Sequence, residues 1–194
     1  MITNILPTPI YTTALEIASK AFLQGWVDAA SDDKADYNGY YVDNQLHRQE
    51  EFSELTKSIL EHADKYIKEL QHKTKDGSPY RLAITRMWAT QFNKSKAVVR
   101  HCHAGQGAVI SGVYYMGLPS DVRSGIEFFP RYQPFVENIP FAHGFSDVVE
   151  VGENLLIMFP GELMHTGVEN VSDQKRINIA FDITYCDSMY GPIL

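Results

Sequence analysis

The chain has 194 residues, 44% hydrophobic and 21% charged, with a formal net charge of −7. That length suits one compact domain at ~100–200 residues per domain, and the apolar content fills a sizeable core, which excludes a disordered chain. The acidic balance, with no Lys/Arg cluster longer than a pair, argues against nucleic acid or an anionic membrane as partner.

The opening MITNILPTPIYTTALE has neither the basic start nor the long apolar stretch of a signal peptide. No apolar run approaches the ~18–20 residues that span a bilayer. Two cysteines, Cys102 and Cys186, are too few for a disulfide framework. A reducing, cytoplasmic location is expected.

Residues 13–32, TALEIASKAFLQGWVDAASD, read as a helix with Leu15, Ala18, Phe22 and Trp26 at three-to-four spacing, its length limited by Gly25 and the Asp-rich turn. A second helix follows in EFSELTKSILEHADKYIKEL, where Phe52, Leu55, Ile59, Tyr66 and Leu70 form one apolar stripe opposite charged residues. His47, His62 and His72, on or near this polar helix, carry no expected role. DGSP at 76–79 is a turn that closes the helical half.

From Tyr80 the period shifts toward two. In RLAITRMWATQF, Leu82, Ile84, Trp88, Thr90 and Phe92 fall on one face, and strand-like runs follow at KAVVRHCH, AVISGVYYM, SGIEFF, DVVEV, NLLIMF and RINIAFDITY. Turns at NKSK, GLPSD, VGEN and NVSDQK separate them. The expected fold is mostly β, an antiparallel sandwich or jelly roll with supporting helices. One domain over 1–194 is expected, with helical support in 1–79 and a jelly-roll core in 80–186. The segment Arg131–Phe145, rich in Pro and aromatics and holding His143, is the longest candidate loop and a candidate cover for a site.

His101 and His103 are two apart on an extended run, so their imidazoles point the same way, and His165 arrives on a second strand after LLIMFPGELM. Neutral imidazole suits iron, zinc, copper or nickel, and three ligands on one face leave positions open for substrate or O₂, as in a mononuclear iron site. Cys102 points away from its neighbours and reads as a small buried apolar residue.

Arg176, Asn178 and Ala180 share one face of the last long strand, and Ile177, Ile179 and Phe181 share the other. If the apolar set packs into a hydrophobic layer, Arg176 points into the sandwich and requires an anion, best a carboxylate gripped by both arms of its fork. Ser111, Val113 and Tyr115 alternate in the same way, and the hydroxyls of Ser111 and Tyr115 are candidates to complete a carboxylate pocket. In isolation Arg176 also reads as a surface ion pair with Asp182 or Glu169, and Tyr115 and Trp88 as core aromatics.

Through HCHAGQGAVISGVYYMGLPSDVRSGIEFFPR and LLIMFPGELMHTGVENVSDQKRINIAFDI, the chain resembles the iron(II)- and 2-oxoglutarate-dependent oxygenases of the double-stranded β-helix, cupin-like type. It is most similar to bacterial and phage members that open with a phrase like LPTPIY and carry Trp88, a His-x-His, SGVYY, FP with a distal His, and an Arg on the last strand. The resemblance implies Fe(II), 2-oxoglutarate and O₂, and hydroxylation of a small molecule or side chain with release of succinate and CO₂. It makes His101 the first histidine of the family's His-x-Asp/Glu motif and His165 the distal one. Arg176, eleven residues on, becomes the anchor of the 2-oxoglutarate carboxylate, helped by Tyr115 and Asn178.

His103 departs from that pattern, standing where the superfamily has a carboxylate. Three possibilities follow: His103 binds the metal, water takes the position, or Glu127 reaches in from SGIEFF. A site without an anionic ligand has room for chloride and halogenation; with imidazole there, hydroxylation is the expectation. A cupin-type protein that does not use 2-oxoglutarate accounts for the histidines equally well, but not for the arginine.

Overall fold

The alternation of RINIAFDITY is realised in the computed structural model, which describes residues 8–30, 40–70, 81–129, 146–187 and 191–192. Ten strands and two α-helices run in the order β1 (Tyr11–Ala14), α1 (Lys20–Ala30), β2 (Tyr40–Val42), α2 (Ser53–Glu69), β3 (Arg81–Phe92), β4 (Ile110–Gly117), β5 (Ser124–Phe128), β6 (Asp147–Val151), β7 (Leu155–Pro160), β8 (His165–Gly167), β9 (Arg176–Asp187) and β10 (Gly191–Pro192) among the described residues. The larger sheet has the order β1-β7-β4-β9-β3-β2, with β10 on β9, and the smaller has the order β6-β5-β8. Every pairing of these strands is antiparallel.

The period of two gives the larger sheet two working faces. Outward, Ile177, Ile179, Phe181 and Ile183 of β9 join Tyr114, Met116, Leu156 and Met158 beneath the helices. The α2 stripe predicted from spacing supplies Leu55, Ile59 and Tyr66 to that layer, with Ala63 and Ile67 beside them. Each fully buried Leu or Ile contributes about 1.5–3 kcal/mol relative to an exposed one. Inward, Tyr115, Ile157 and Phe159 pack against Ile126 and Phe128 of the smaller sheet. The site lies between the sheets, beyond this second cluster.

The first helix differs from its predicted form. Tyr11–Ala14 is a strand paired with β7, Leu15 and Ile17 are buried outside any helix, and α1 starts only at Lys20. Its buried face is Leu23 and Val27, with Trp26 edge-on to Phe52, while Phe22 is 58% exposed. The cause is tertiary: the carboxylate of Glu54 on α2 accepts the backbone N–H groups of Ala18 and Ser19 at 2.9 and 3.1 Å and the Ser19 hydroxyl at 2.7 Å. That fixes where the helix begins and hence which residues its inner face presents. The first 79 residues thus supply β1 and β2 to the sheet besides the helices.

The single face predicted for residues 82–92 is split. The β3–β9 register shifts between Ile84 and Arg86, placing an extra residue, Thr85, in β3. Ile84, Met87 and Ala89 join the helix-side core, whereas Trp88, Thr90 and Phe92 turn inward to line the site. KAVVRHCH is not a strand either: among the described residues its β pairing is limited to isolated bridges, Lys96 with Asn170 and His101 with His165. The DGSP turn, His72 and the loop Arg131–Phe145 with His143 lie outside the described residues.

Candidate metal and carboxylate site

Backbone pairing brings the first two imidazoles together. His101 and His165 exchange both N–H···O=C bonds, at 3.0 and 2.9 Å, so they sit directly opposite each other and their rings lie 4.4 Å apart, centroid to centroid. His103 leaves the extended conformation, with φ −110° and ψ 9°, at the start of a short 3₁₀ turn over Ala104–Gln106. It is tethered instead through its N–H to the carbonyl of Gly161 at 2.7 Å. Its ring still converges, 4.9 Å from His101 and 5.3 Å from His165.

One ligand nitrogen from each of the three histidines falls within 4.8 Å of the others. The opposite nitrogens show which one. Nδ1 of His101 is 2.7 Å from the Val99 carbonyl, Nδ1 of His165 is 2.8 Å from the Leu163 carbonyl, and Nδ1 of His103 is 2.6 Å from Oδ1 of Asp182. Carbonyls and ionised carboxylates only accept, so Nδ1 carries a proton in every ring and Nε2 is the nitrogen each ring can offer to a metal. Nε2 of His103 is buried with no hydrogen-bond partner among the described residues. Burial pushes the pKa of His165 down to about 3 and lowers that of His101, so these imidazoles are neutral at physiological pH. Three rings held in fixed orientation, with Nε2 available on each, fit a divalent transition metal.

Rings pack the cluster in place. Trp88 stacks on His103 at 5.8 Å and Phe159 meets His165 edge-on at 4.7 Å. Glu127 is not part of the cluster. Ile126 beside it lines the pocket, so alternation turns Glu127 to the other side of β5, where it accepts a hydrogen bond from the Ser146 hydroxyl.

The floor of the pocket is the inward face of β9. Asn178 pairs across the sheet with Thr90 and Tyr115, Ala180 with Trp88 and Val113, and Asp182 with Arg86 and Ser111, while Arg176 lies beside Phe92 at the end of β3. The Arg176 guanidinium lies 4.6 Å over the Phe92 ring and donates through Nη1 to the Val168 carbonyl. Among the described residues, Nε and Nη2 are buried without partners, as is Oδ1 of Asn178. Gly167 makes the room: a Cβ there would stand 3.2 Å from Nη2. Burial lowers the pKa of Arg176 and raises that of Tyr115, and each group's nearness to the other counteracts its own shift. A buried fork with free donors fits a carboxylate tail.

Two sequence expectations change here. Ser111 lines the pocket, but its hydroxyl donates to Oδ1 of Asp182 at 2.8 Å, so its proton is committed to that carboxylate and not to an anion at Arg176. Asp182, expected at most as an ion-pair partner of Arg176, is the hub of the cluster's supports. The signal for it was present, since Asp182 continues the face of Arg176, Asn178 and Ala180 by one more step of two.

An antiparallel jelly roll with three converging imidazoles and a buried arginine defines a class, the double-stranded β-helix metalloenzymes. A family model described as "Putative 2OG-Fe(II) oxygenase" matches residues 86–182, half of the chain, and the chain belongs to that family. It is an iron(II)- and 2-oxoglutarate-dependent oxygenase, with O₂ as oxidant. Comparison with curated proteins gives no match.

Solved structures share the fold at low identity. The viral collagen prolyl hydroxylase vCPH from Paramecium Bursaria Chlorella virus-1, in its 2OG complex, is 11% identical at a TM-score of 0.59, covering 90% of this chain and 94% of that one. HygX from Streptomyces hygroscopicus, with nickel and 2-oxoglutarate bound, is 10% identical at 0.62, covering 91% and 83%. The non-heme alpha ketoglutarate dependent epimerase SnoN from nogalamycin biosynthesis is 12% identical at 0.66, covering 91% and 78%.

Proposed function

We propose that the chain is a hydroxylase in which His101, His103 and His165 hold Fe(II) through Nε2, and Arg176, with Asn178 and Tyr115, seats the far carboxylate of 2-oxoglutarate. The balance is R–H + 2-oxoglutarate + O₂ → R–OH + succinate + CO₂. Bound iron supplies the redox chemistry that splits O₂ and decarboxylates the co-substrate. The protein's own residues orient and exclude water. The Val99 and Leu163 carbonyls and Asp182 aim the rings, Phe92 and Phe159 dry the wall, and Arg176 fixes the co-substrate's register.

The observation that carries this is the pairing of three aimed lone pairs with the unpartnered donors of buried Arg176 in one pocket. A cupin-type protein without 2-oxoglutarate leaves that guanidinium unexplained. The net charge of −7 supports a small-molecule or side-chain substrate over nucleic acid. The test is succinate formation from 2-oxoglutarate by the purified enzyme with Fe(II), with and without O₂, followed by ¹⁸O₂ labelling in the presence of cell metabolite extract. Oxygen-dependent succinate and a product heavier by one labelled oxygen are expected. No succinate from metal-loaded protein, or a labelled succinate with an oxygen-free product, overturns the hydroxylase assignment.

A further inference from the structure

We propose that Asp182 is the positioning residue of His103: it returns from behind the ring the carboxylate that the common two-histidine, one-carboxylate iron site places on the metal. The inference rests on the three-histidine assignment above. Asp182 is 1% exposed, and its carboxylate accepts from three residues. Oδ1 takes Nδ1–H of His103 at 2.6 Å and the Ser111 hydroxyl at 2.8 Å, and Oδ2 takes Nε of Arg86 at 2.9 Å together with its Nη2. Arg86 also donates to Gln106 and lies over the Trp88 ring that stacks on His103.

Strand register builds this arrangement in advance, because Arg86 and Ser111 are the two cross-strand partners of Asp182. Burying a carboxylate is costly, and a sandwich that needed only filling at this position would be served by an apolar side chain. The side chain of Arg86 is 28% exposed, so solvent screens its charge, while the carboxylate it holds is shielded. A buried anion hydrogen-bonded to Nδ1–H fixes the ring and makes Nε2 a better donor to a cation. His101 and His165 have neutral carbonyls in that place, so the anionic support is specific to the ligand that replaces the carboxylate.

The experiment compares wild type with Asp182→Asn and His103→Ala by anaerobic titration with Co(II), reading affinity by calorimetry and ligand field by the visible d–d absorption. Asp182→Asn keeps an acceptor for Nδ1–H but removes the charge. It is expected to bind Co(II) about 10–100-fold more weakly, with displaced absorption bands. Wild-type affinity and spectrum in Asp182→Asn overturn the proposal. If that variant does not fold, ring N–H resonances of Zn(II)-loaded wild type decide. A His103 Nδ1–H proton further downfield than those of His101 and His165 supports the proposal, and a His103 proton on Nε2 overturns it. Wild type that binds no divalent metal, or His103→Ala that binds as wild type does, instead fells the metal assignment beneath it.

Discussion

Arg176 and Asp182 stand on the same face of β9, each 1% exposed, and do not neutralise one another. Six residues of strand, roughly 20 Å at ~3.3 Å per residue, separate them. Asp182 is saturated by His103, Ser111 and Arg86, while among the described residues Nε and Nη2 of Arg176 have no partner, and Glu169 is exposed. The explanation of Arg176 as a surface ion pair with Asp182 or Glu169 is thereby excluded. One strand presents a spent anion at the metal end of the pocket and an unspent cation at the other.

An unspent buried cation weakens the protein that carries it. Arg176→Met is expected to stabilise the protein without co-substrate, by about 1–4 kcal/mol. It should also weaken 2-oxoglutarate binding by about 2–5 kcal/mol, with metal affinity unchanged. Urea unfolding and anaerobic calorimetry give the two values, and a variant that binds 2-oxoglutarate as wild type does removes Arg176 from the anchor role.

The ligand set separates along the same lines. His165→Ala should lose iron retention and uncoupled 2-oxoglutarate turnover, and His103→Ala should bind metal far more weakly, whereas Glu127→Gln should match wild type because its side chain faces away from the pocket. Iron content after anaerobic gel filtration measures this. Normal loading of His103→Ala would return the third position to water.

Two glycine-to-alanine changes should move stability in opposite directions. At Gly112, in β4, a Cβ would meet Cζ of Phe181 at 2.3 Å and the Ile157 carbonyl at 2.7 Å, so Gly112→Ala should destabilise by about 1–3 kcal/mol or more. At Gly25, inside α1, a Cβ would meet nothing within 4 Å among the described residues, and Gly25→Ala should stabilise by up to about 1 kcal/mol. Denaturation midpoints of the two variants give the signs.

The Glu54 contact makes the start of α1 sensitive to acid. Hydrogen bonds from the Ser19 hydroxyl and from the Ala18 and Ser19 N–H groups hold its pKa below the usual carboxylate value. The native pKa is depressed, so its stabilisation is fully present above the unfolded value of ~4.3 and is lost as pH falls through the native one. Wild type should therefore be more stable than Glu54→Gln at pH 7, and the difference should shrink below about pH 4. A constant difference down to pH 3 would contradict the link.

Part of the chemistry was legible through the local rule of alternation. Arg176 and Asn178 oppose Ile177 and Ile179, so a period of two assigned their side before any partner was known, whereas His103 reaches the cluster from the start of a 3₁₀ turn that alternation does not describe. The same rule, carried across residues 82–92, failed at Thr85, since a bulge exchanges the faces and leaves no mark in composition. It also gave KAVVRHCH as a strand, where only two bridges form.

What the amino-acid order determined by itself is which side chains share a face: the α2 stripe, the two faces of β9, and hence the inward arginine. What only the tertiary structure decided is who meets whom across the chain. Glu54 sets the start of α1, 35 residues away from Ser19, and Asp182 grips His103 from 79 residues away. Periodicity is a property of one segment's backbone and is written in that segment. A hydrogen bond between distant strands depends on their mutual register, which is fixed only when both faces of the sheet are packed.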